Sequence, residues 1–344
     1  MRNVRILADD FTGALDAAAP FAASEAPVKL VLDDIGDKAA KLTISSESRD
    51  LAVDDSCKAV AQAYRVLSSA GFDGAASSGQ PVWFKKVDSV LRGNSIAETI
   101  AMMRQGDFST CIFAPAFPGM GRRTRDGMHE VRVGEDWSPA SVHDLREAFA
   151  KQGLEAQLFA PGRPVRGVVI GDAVSQSDLD ELVAQYRDVP GVLWAGSRGL
   201  AQALAPDFQC RAQPRLSAVI VGTAHSVTRK QVAHAQNCGL GSGEDGAVLI
   251  DPVPLAKDAG ATTAALMRDV PKIQVRPGTG LMVIGGDTLS AVLAASDARS
   301  MECLGEIGPG LPISRIVGGQ FDGVEIVTKS GGFGDTELLE RMMA

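Results

Sequence analysis

Two hydrophobic periods alternate along this chain. Short, mostly apolar runs at Val4 to Ala8, Lys29 to Leu32, Leu42 to Ser45, Val82 to Lys86, Thr110 to Ala114, Gly167 to Ile170 and Val192 to Ala195 predict strands. Between them, alanine-rich amphipathic stretches predict helices at Gly13 to Ala23, Ser56 to Ala70, Asn94 to Arg104, Ser177 to Tyr186 and Leu200 to Leu204. Strand followed by helix, repeated, predicts an α/β fold with a mostly parallel sheet flanked by helices. The pattern breaks over residues 206–215, where two prolines interrupt it, and resumes at Ser217 to Val221. Two domains are therefore expected, at residues 1–208 and 214–344. The second should hold strands near Ala218 to Val221, Ala247 to Ile250, Leu281 to Ile284 and Gly323 to Thr328. Its helices should lie near Arg229 to Ala235, Ala259 to Met267, Leu289 to Ala295 and Thr336 to Met343.

In open parallel sheets, ligands sit beyond the carboxyl ends of the strands. Three glycine-bearing or polar motifs of the second domain fall there: Gly222-Thr-Ala-His-Ser-Val-Thr228, Gly285-Gly-Asp-Thr288 and Lys329-Ser-Gly-Gly-Phe-Gly334. The second runs from a strand through two glycines into an apolar helix. Glycines let a ligand approach the backbone, and unpaired amides at a helix start favour an anion. Lys329 is expected to offset charge. The spacing Gly-x-x-x-x-Gly-Lys-Ser/Thr is absent, so a nucleotide would be held by another phosphate-binding design.

The first domain carries a different set. Asp9, Asp10 and Thr12 precede an alanine-rich helix as a capping sequence would, although capping needs only one acid. Lys85, Lys86, Asp88, Ser89, Arg92 and Asn94 gather between a strand and a helix, where they suit a pocket for a carboxylate and hydroxyls. Ser48 and Arg49 follow another strand, and Arg122 and Arg123 close a Pro/Gly loop after a third.

Composition narrows the choices further. With 344 residues, 45% apolar and 22% charged, the chain is globular and too long for one ordinary core. A net charge of −8 argues against a nucleic-acid or anionic-membrane surface while permitting a local basic pocket. Five scattered cysteines without a Cys-x-x-Cys pair disfavour a disulfide framework and a structural zinc site. No apolar run is long enough for a membrane span, and a cytoplasmic protein is expected. The four histidines lack metal-ligand spacing and are expected to pack or lie at the surface.

Taken together, Ala8-Asp-Asp-Phe-Thr-Gly-Ala14, Lys85-Lys-Val-Asp-Ser-Val-Leu-Arg-Gly-Asn94, Ala114-Pro-Ala-Phe-Pro118 with Gly121, Arg122 and Thr124, Gly285-Gly-Asp-Thr288 and Lys329-Ser-Gly-Gly-Phe-Gly-Asp335 resemble the four-carbon acid sugar kinase family. Members of that family phosphorylate threonate, erythronate or 3-oxo-tetronate with ATP. The resemblance spans nearly the whole chain. It implies a sugar acid on the N-terminal domain, ATP on the C-terminal domain and an active-site cleft between them. Three departures stand out: Val90 replaces a usual threonine, Gly222-Thr-Ala-His225 replaces a usual Gly-Ser-Cys-Ser, and the region after Gly127 is shorter. Thr223 keeps a hydroxyl, whereas His225 is not expected to mimic serine.

On this reading Lys86 and Arg92 hold the substrate carboxylate, Asp88, Ser89 and Asn94 contact its hydroxyls, and Arg49 joins them. Asp9 or Asp10 acts as base or orienter; strand alternation would turn only one of them toward a ligand. Lys86 and Asp88 complete the catalytic set. Backbone amides of Gly285, Gly286, Asp287, Thr288, Gly331, Gly332 and Gly334 would cradle ATP phosphates, with Thr223, His225 and Ser226 nearby. Mg²⁺ is expected with ATP, Asp287 being the one candidate ligand. A homodimer is a weaker expectation. A non-kinase sugar-acid enzyme of isomerase or aldolase type, or a non-catalytic sensor, stands as the alternative.

Overall fold

The computed structural model describes residues 3–32, 39–71, 81–162, 164–205, 207–242 and 246–343. Pro206, in the expected linker, and the chain ends Met1 and Ala344 lie outside the described residues. Contacts divide the chain into two compact units, Met1–Phe21 with Asp34–Phe208 and Ala22–Asp33 with Gln209–Ala344.

Numbered along the chain, the strands up to residue 208 are β1 (Val4–Ala8), β2 (Val28–Val31), β3 (Lys41–Ser45), β4 (Val82–Lys86), β5 (Thr110–Ala114), β6 (Arg122–Arg125), β7 (Met128–Val133), β8 (Asp136–Asp144), β9 (Ala156–Leu158), β10 (Gly167–Ile170) and β11 (Val192–Gly196). Their helices are α1 (Phe11–Ala18), α2 (Val53–Ser69), α3 (Ser95–Gln105), α4 (Leu145–Ala150), α5 (Gln176–Tyr186) and α6 (Arg198–Leu204). In the first unit the strands run β3-β1-β4-β11-β5-β10-β9, all parallel. Every residue of β1, β5 and β11 is buried, the signature of strands covered on both faces. Helices α2 and α3 pack on each other, as do α5 and α6. Strands β6, β7 and β8 form a separate antiparallel meander.

The second unit continues the numbering with β12 (Leu216–Val221), β13 (Val248–Ile250), β14 (Gly280–Ile284), β15 (Ser300–Glu306), β16 (Pro312–Val317) and β17 (Glu325–Lys329). Its helices are α7 (Ser226–Asn237), α8 (Ala259–Asp269), α9 (Gly286–Ala295) and α10 (Leu338–Met343). Strands β13, β12, β14 and β17 are parallel neighbours, and β16, β15 and β2 extend them antiparallel. Val219, Val221, Met282, Ile284 and Val327 pack with Val232 of α7 and Leu339 and Met342 of α10 in its core.

The strand expected at Lys29 to Leu32 is a correction to the two-domain boundary, because it forms as β2 in the second unit rather than the first. Its partner β15 lies about 270 positions onward in the chain, beyond anything local periodicity encodes. Lys29 faces Glu302 across that pair, a favourable opposite-charge match. The helix expected from Gly13 to Ala23 ends at Ala18 and tightens into a 3₁₀ turn through Phe21, where Pro20 lacks the amide a helix needs. Strands β6 to β9, β15 and β16 and helix α4 were not expected from the sequence; much of the meander is polar and only half-buried, so it carries no apolar alternation.

Candidate functional site

Parallel strands deliver their following residues to one edge of a sheet, and in the first unit the candidate side chains follow β1, β3 and β4 there. Asp10, two residues after β1, is extended and caps α1: its Oδ1 accepts from the Gly13 amide at 2.6 Å and its Oδ2 from the Thr12 hydroxyl at 2.9 Å. A Cβ at Gly13 would lie 2.5 Å from Asp10 Oδ1, so the cap requires glycine there. Arg49, after β3, reaches across to both acids. Its Nε and Nη2 donate to Asp9 Oδ2 and Oδ1 at 2.8 and 2.9 Å, and its Nη1 to Asp10 Oδ2 at 2.5 Å.

The two acids are not equivalent. Asp9 is 3% exposed and gripped on both oxygens by one guanidinium, whereas the Asp10 side chain keeps 14% of its surface open. Burial pushes Asp9 up, but Arg49, Lys85 and Lys86 together overcome it and hold the carboxyl below its ordinary value. Burial likewise pulls Arg49 down, and the two carboxylates reverse that and raise it.

Strand alternation separates the two lysines of β4. Lys85 turns to a buried pair with Glu98 at 2.9 Å, a carboxylate that also accepts from the Ser48 hydroxyl at 2.7 Å. Lys85 and Ser48 are thus structural and do not join the candidate pocket. Lys86 lies over the first turn of α1, 3.7 Å from Asp16 Oδ2. Asp16 was missed by sequence reasoning; the signal was a single acid inside the apolar run Ala14-Leu-Asp-Ala-Ala18. It is buried, its Oδ1 has no hydrogen-bond partner among the described residues, and burial raises its pKa against the opposing pull of Lys86.

After β4, Asp88 organises its own loop. Its Oδ1 accepts from the Val90 amide at 2.9 Å and its Oδ2 from Arg92 Nη2 at 2.6 Å and Nε at 3.2 Å. Burial would raise Asp88, yet Arg92, Arg49 and Lys86 hold it well below the usual carboxylate range. Arg92 keeps nearly half of its side chain exposed. Asn94 ties its amide to the Leu51 carbonyl at 2.8 Å. The loop is braced by His129 of β7, whose Nε2 meets the Ser89 carbonyl at 2.9 Å and whose Nδ1 meets the Thr124 hydroxyl at 3.0 Å. Burial lowers this imidazole's pKa, as a neutral packing histidine requires. The short segment after Gly127 therefore supports the loop from below. Arg123 pairs with Glu130 and lies over the Trp137 ring, and Arg122 donates to the Met120 carbonyl.

In the second unit, β12, β14 and β17 are adjacent and parallel, so the loops after them meet. A Cβ on Gly285, whose φ is +112°, would lie 2.8 Å from Thr288 Oγ1 and 3.3 Å from Thr223 Cβ. On Gly331 it would lie 2.9 Å from Thr223 Oγ1, and on Gly332 3.2 Å from His225 Nε2. Thr223, His225, Gly285, Thr288, Gly331 and Gly332 are therefore one cluster. The first-turn amides of α9, from Gly286, Asp287 and Thr288, have no intrahelical acceptor, and Asp287 stands exposed beside them.

Three residues differ from expectation in what they do. The Thr288 hydroxyl bonds back to the Ile284 carbonyl at 2.8 Å and is buried. Lys329 does not offer its ammonium outward: it donates to the carbonyls of Ser330 and Phe333, each at 3.0 Å, and to Thr228 Oγ1 at 3.3 Å. Burial brings its pKa down to about 7. With Gln231, which binds the Phe333 and Asp335 carbonyls, Lys329 fixes the glycine loop carrying Gly334. His225 does replace a serine in one respect, since its Nδ1 accepts from the Val227 amide at 3.2 Å and caps α7, whose first residue is the exposed Ser226.

Residues 4–151 match the model of a sugar-binding N-terminal domain, and residues 253–339 that of a nucleotide-binding C-terminal domain. A D-threonate kinase of Bordetella bronchiseptica is 28% identical over 400 aligned residues, covering 98% of this chain and 96% of the relative. A D-erythronate kinase of Heliobacterium modesticaldum and a 3-oxo-tetronate kinase of Pseudomonas fluorescens are each 25% identical, covering 98% of this chain and 95% of the relative. Among solved structures, a protein of Salmonella typhimurium described as a putative tRNA synthase shares the fold at TM-score 0.73 and 20% identity, covering 98% of both chains. A Bordetella bronchiseptica protein crystallised with bound citrate as a domain-swapped dimer aligns at TM-score 0.50 and 26% identity, covering 98% of this chain and 97% of that one. No described helix is long and apolar enough to cross a membrane.

Proposed function

The chain belongs to the four-carbon acid sugar kinase family, and on that premise we propose that it transfers the γ-phosphoryl group of ATP to a hydroxyl of a four-carbon sugar acid. The observation that carries this reading is the paired chemistry of the two units. One gathers Arg49, Lys86 and Arg92 around four carboxylates, Asp9, Asp10, Asp16 and Asp88; the other gathers glycines and helix-start amides.

Lys86 and Arg92 hold the substrate carboxylate, Arg92 through the part of its guanidinium that Asp88 leaves exposed. Asp88, Ser89 and Asn94 line the hydroxyl side. Arg49 and Asp9 form a rigid base beneath, and Asp10, the more open acid, orients the attacking hydroxyl and receives its proton. Phosphoryl transfer has a loose transition state, so positioning matters more than strong base catalysis. Asp16 acts through Lys86, keeping the ammonium over α1.

The nucleotide loops suit phosphate because Gly285 and Gly331 bring backbone without a Cβ into a cluster so close that a Cβ would lie 2.8 Å from Thr288 Oγ1 or 2.9 Å from Thr223 Oγ1. Amides of Gly285 to Thr288 and of Gly331, Gly332 and Gly334 would hold the phosphates, with Thr223, His225 and Ser226 at the rim. Mg²⁺ bound with ATP would supply charge neutralisation, and Asp287, exposed in the first turn of α9, would be its protein ligand. The Bordetella protein was crystallised with bound citrate, a hydroxy acid with several carboxylates, which supports an acid ligand for this fold, and its domain-swapped dimer supports a homodimer here. Five scattered cysteines, none in a Cys-x-x-Cys pair, support a reducing, cytoplasmic setting.

A coupled ADP-release assay with ATP and Mg²⁺ over D- and L-threonate, D- and L-erythronate and 3-oxo-tetronate tests the proposal. Turnover on one acid supports it and names the substrate; ATP binding without turnover on any of them would overturn it in favour of a non-catalytic sensor.

A further inference from the structure

Away from both sets of loops, α7 and α10 bring three metal-ligating side chains to one spot on the second unit. His234 and Cys238 stand four residues apart at the C-terminal end of α7 and so share a face. Glu340 comes from α10. One ligand atom of each residue lies within 4.8 Å of the other two, the single such group among the described residues. His234 Nε2 is 2.7 Å from Glu340 Oε2, and Cys238 Sγ is 3.8 Å from His234 Nε2. We propose that these three residues form a transition-metal site that takes Zn²⁺.

Zinc–ligand lengths of about 2.0 Å to nitrogen or oxygen and about 2.3 Å to sulfur set the donor spacings of a tetrahedral site near 3.3 Å for N···O and near 3.6 Å for N···S. The present spacings differ from those by about 0.6 Å and about 0.2 Å, within the reach of side-chain rotation about exposed helix positions. Coordination would replace the His234–Glu340 hydrogen bond. A thiolate and an imidazole select zinc over magnesium or calcium, so this site is chemically distinct from a Mg²⁺ that accompanies ATP. Its position helps as well, because the last turn of α7 presents carbonyls whose partial negative charge favours a cation. Cys238 is exposed and Glu340 only partly buried, which leaves the fourth position to water. Three ligands from two helices would tie α10 to α7, the helix whose Thr228 and Gln231 anchor the glycine loop.

The test is a Co²⁺ titration of the chelator-stripped full chain, read by the thiolate-to-cobalt charge-transfer absorption and followed by Zn²⁺ displacement. One Co²⁺ per chain is expected. The band should vanish in Cys238→Ser, persist in Cys210→Ser, which alters another exposed thiol, and weaken by more than about tenfold in affinity in His234→Gln and Glu340→Gln. A urea midpoint equal to that of the parent without metal establishes that each variant is folded; Glu340→Gln, on the other helix, decides the matter should Cys238→Ser fail to fold. Absence of the band, its survival in Cys238→Ser, or an affinity unmoved by all three ligand variants, as an adventitious ion only would give, overturns the site.

Discussion

Replacing Arg49 with alanine should destabilise the protein in a way that depends on pH. Arg49 makes three charge-assisted hydrogen bonds, two to Asp9 and one to Asp10, with only 17% of its side chain exposed. Removing one member of a buried pair costs about 3–5 kcal/mol, because the other charge stays buried and uncompensated. Lys85 and Lys86 remain close enough to act on Asp9, so the lower end, about 3 kcal/mol, is expected near neutral pH. In the parent, Asp9 is held below its ordinary value. Its contribution is therefore present above the unfolded aspartate value, about 3.9, and is lost as pH falls through the folded one. Without Arg49, burial dominates and pushes Asp9 above that value; the folded variant then gains by protonation, and its deficit should shrink as pH falls from about 7 to about 5. Urea unfolding at both pH values measures this. Asp9→Asn added to Arg49→Ala should recover at least about 1 kcal/mol at neutral pH, since an amide carries no buried charge. A neutral-pH deficit below about 1 kcal/mol, or one equal at both pH values, would refute the claim that Arg49 acts by compensating Asp9.

Other expectations concern the two sets of loops separately. Asp10→Asn should lower kcat by about a hundredfold and cost only about 1–2 kcal/mol of stability, because asparagine keeps the α1 cap while the ion pair with Arg49 is lost; steady-state kinetics and unfolding together check this, and retained kcat would count against Asp10. Asp16→Asn should raise KM for the sugar acid several-fold more than it lowers kcat, by loosening Lys86, whereas a change confined to kcat would give Asp16 a different role. Lys329, lowered from 10.5 to about 7 in the folded chain, binds fewer protons there than when unfolded across that window. Stability should accordingly rise with pH between those values, and Lys329→Met should flatten the rise in a series of unfolding curves.

The central parallel strands were legible because they are buried on both faces: β1, β4, β5 and β10 begin and end where their apolar runs do. The loops after them were legible for the same reason, since charge and glycine placed directly after a buried strand have few structural uses. What local pattern could not convey was pairing at a distance. Strand β2 finds β15 far along the chain, and the polar meander β6 to β8 is specified by hydrogen bonding and by His129 rather than by hydrophobic period. Side-chain direction was equally hidden. Nothing in the sequence turns Lys329 toward its own loop carbonyls or distinguishes the embedded Lys85 from Lys86, apart from the alternation of a strand whose limits must first be known. Asp16 escaped notice because a lone acid in an alanine helix reads as solvent-facing until the helix is seen to be buried.

The most direct measurement is product formation from ATP and the accepted sugar acid by phosphorus NMR, with both Michaelis constants determined for the parent, Lys86→Met and Gly331→Ala. A phosphorylated sugar acid should appear. Lys86→Met should raise KM for the acid by about tenfold or more with KM for ATP nearly unchanged, and Gly331→Ala, whose new Cβ would lie 2.9 Å from Thr223 Oγ1, should do the reverse. No phosphorylated acid, or variants that shift both constants alike, would contradict a sugar acid on the first unit and a nucleotide on the second.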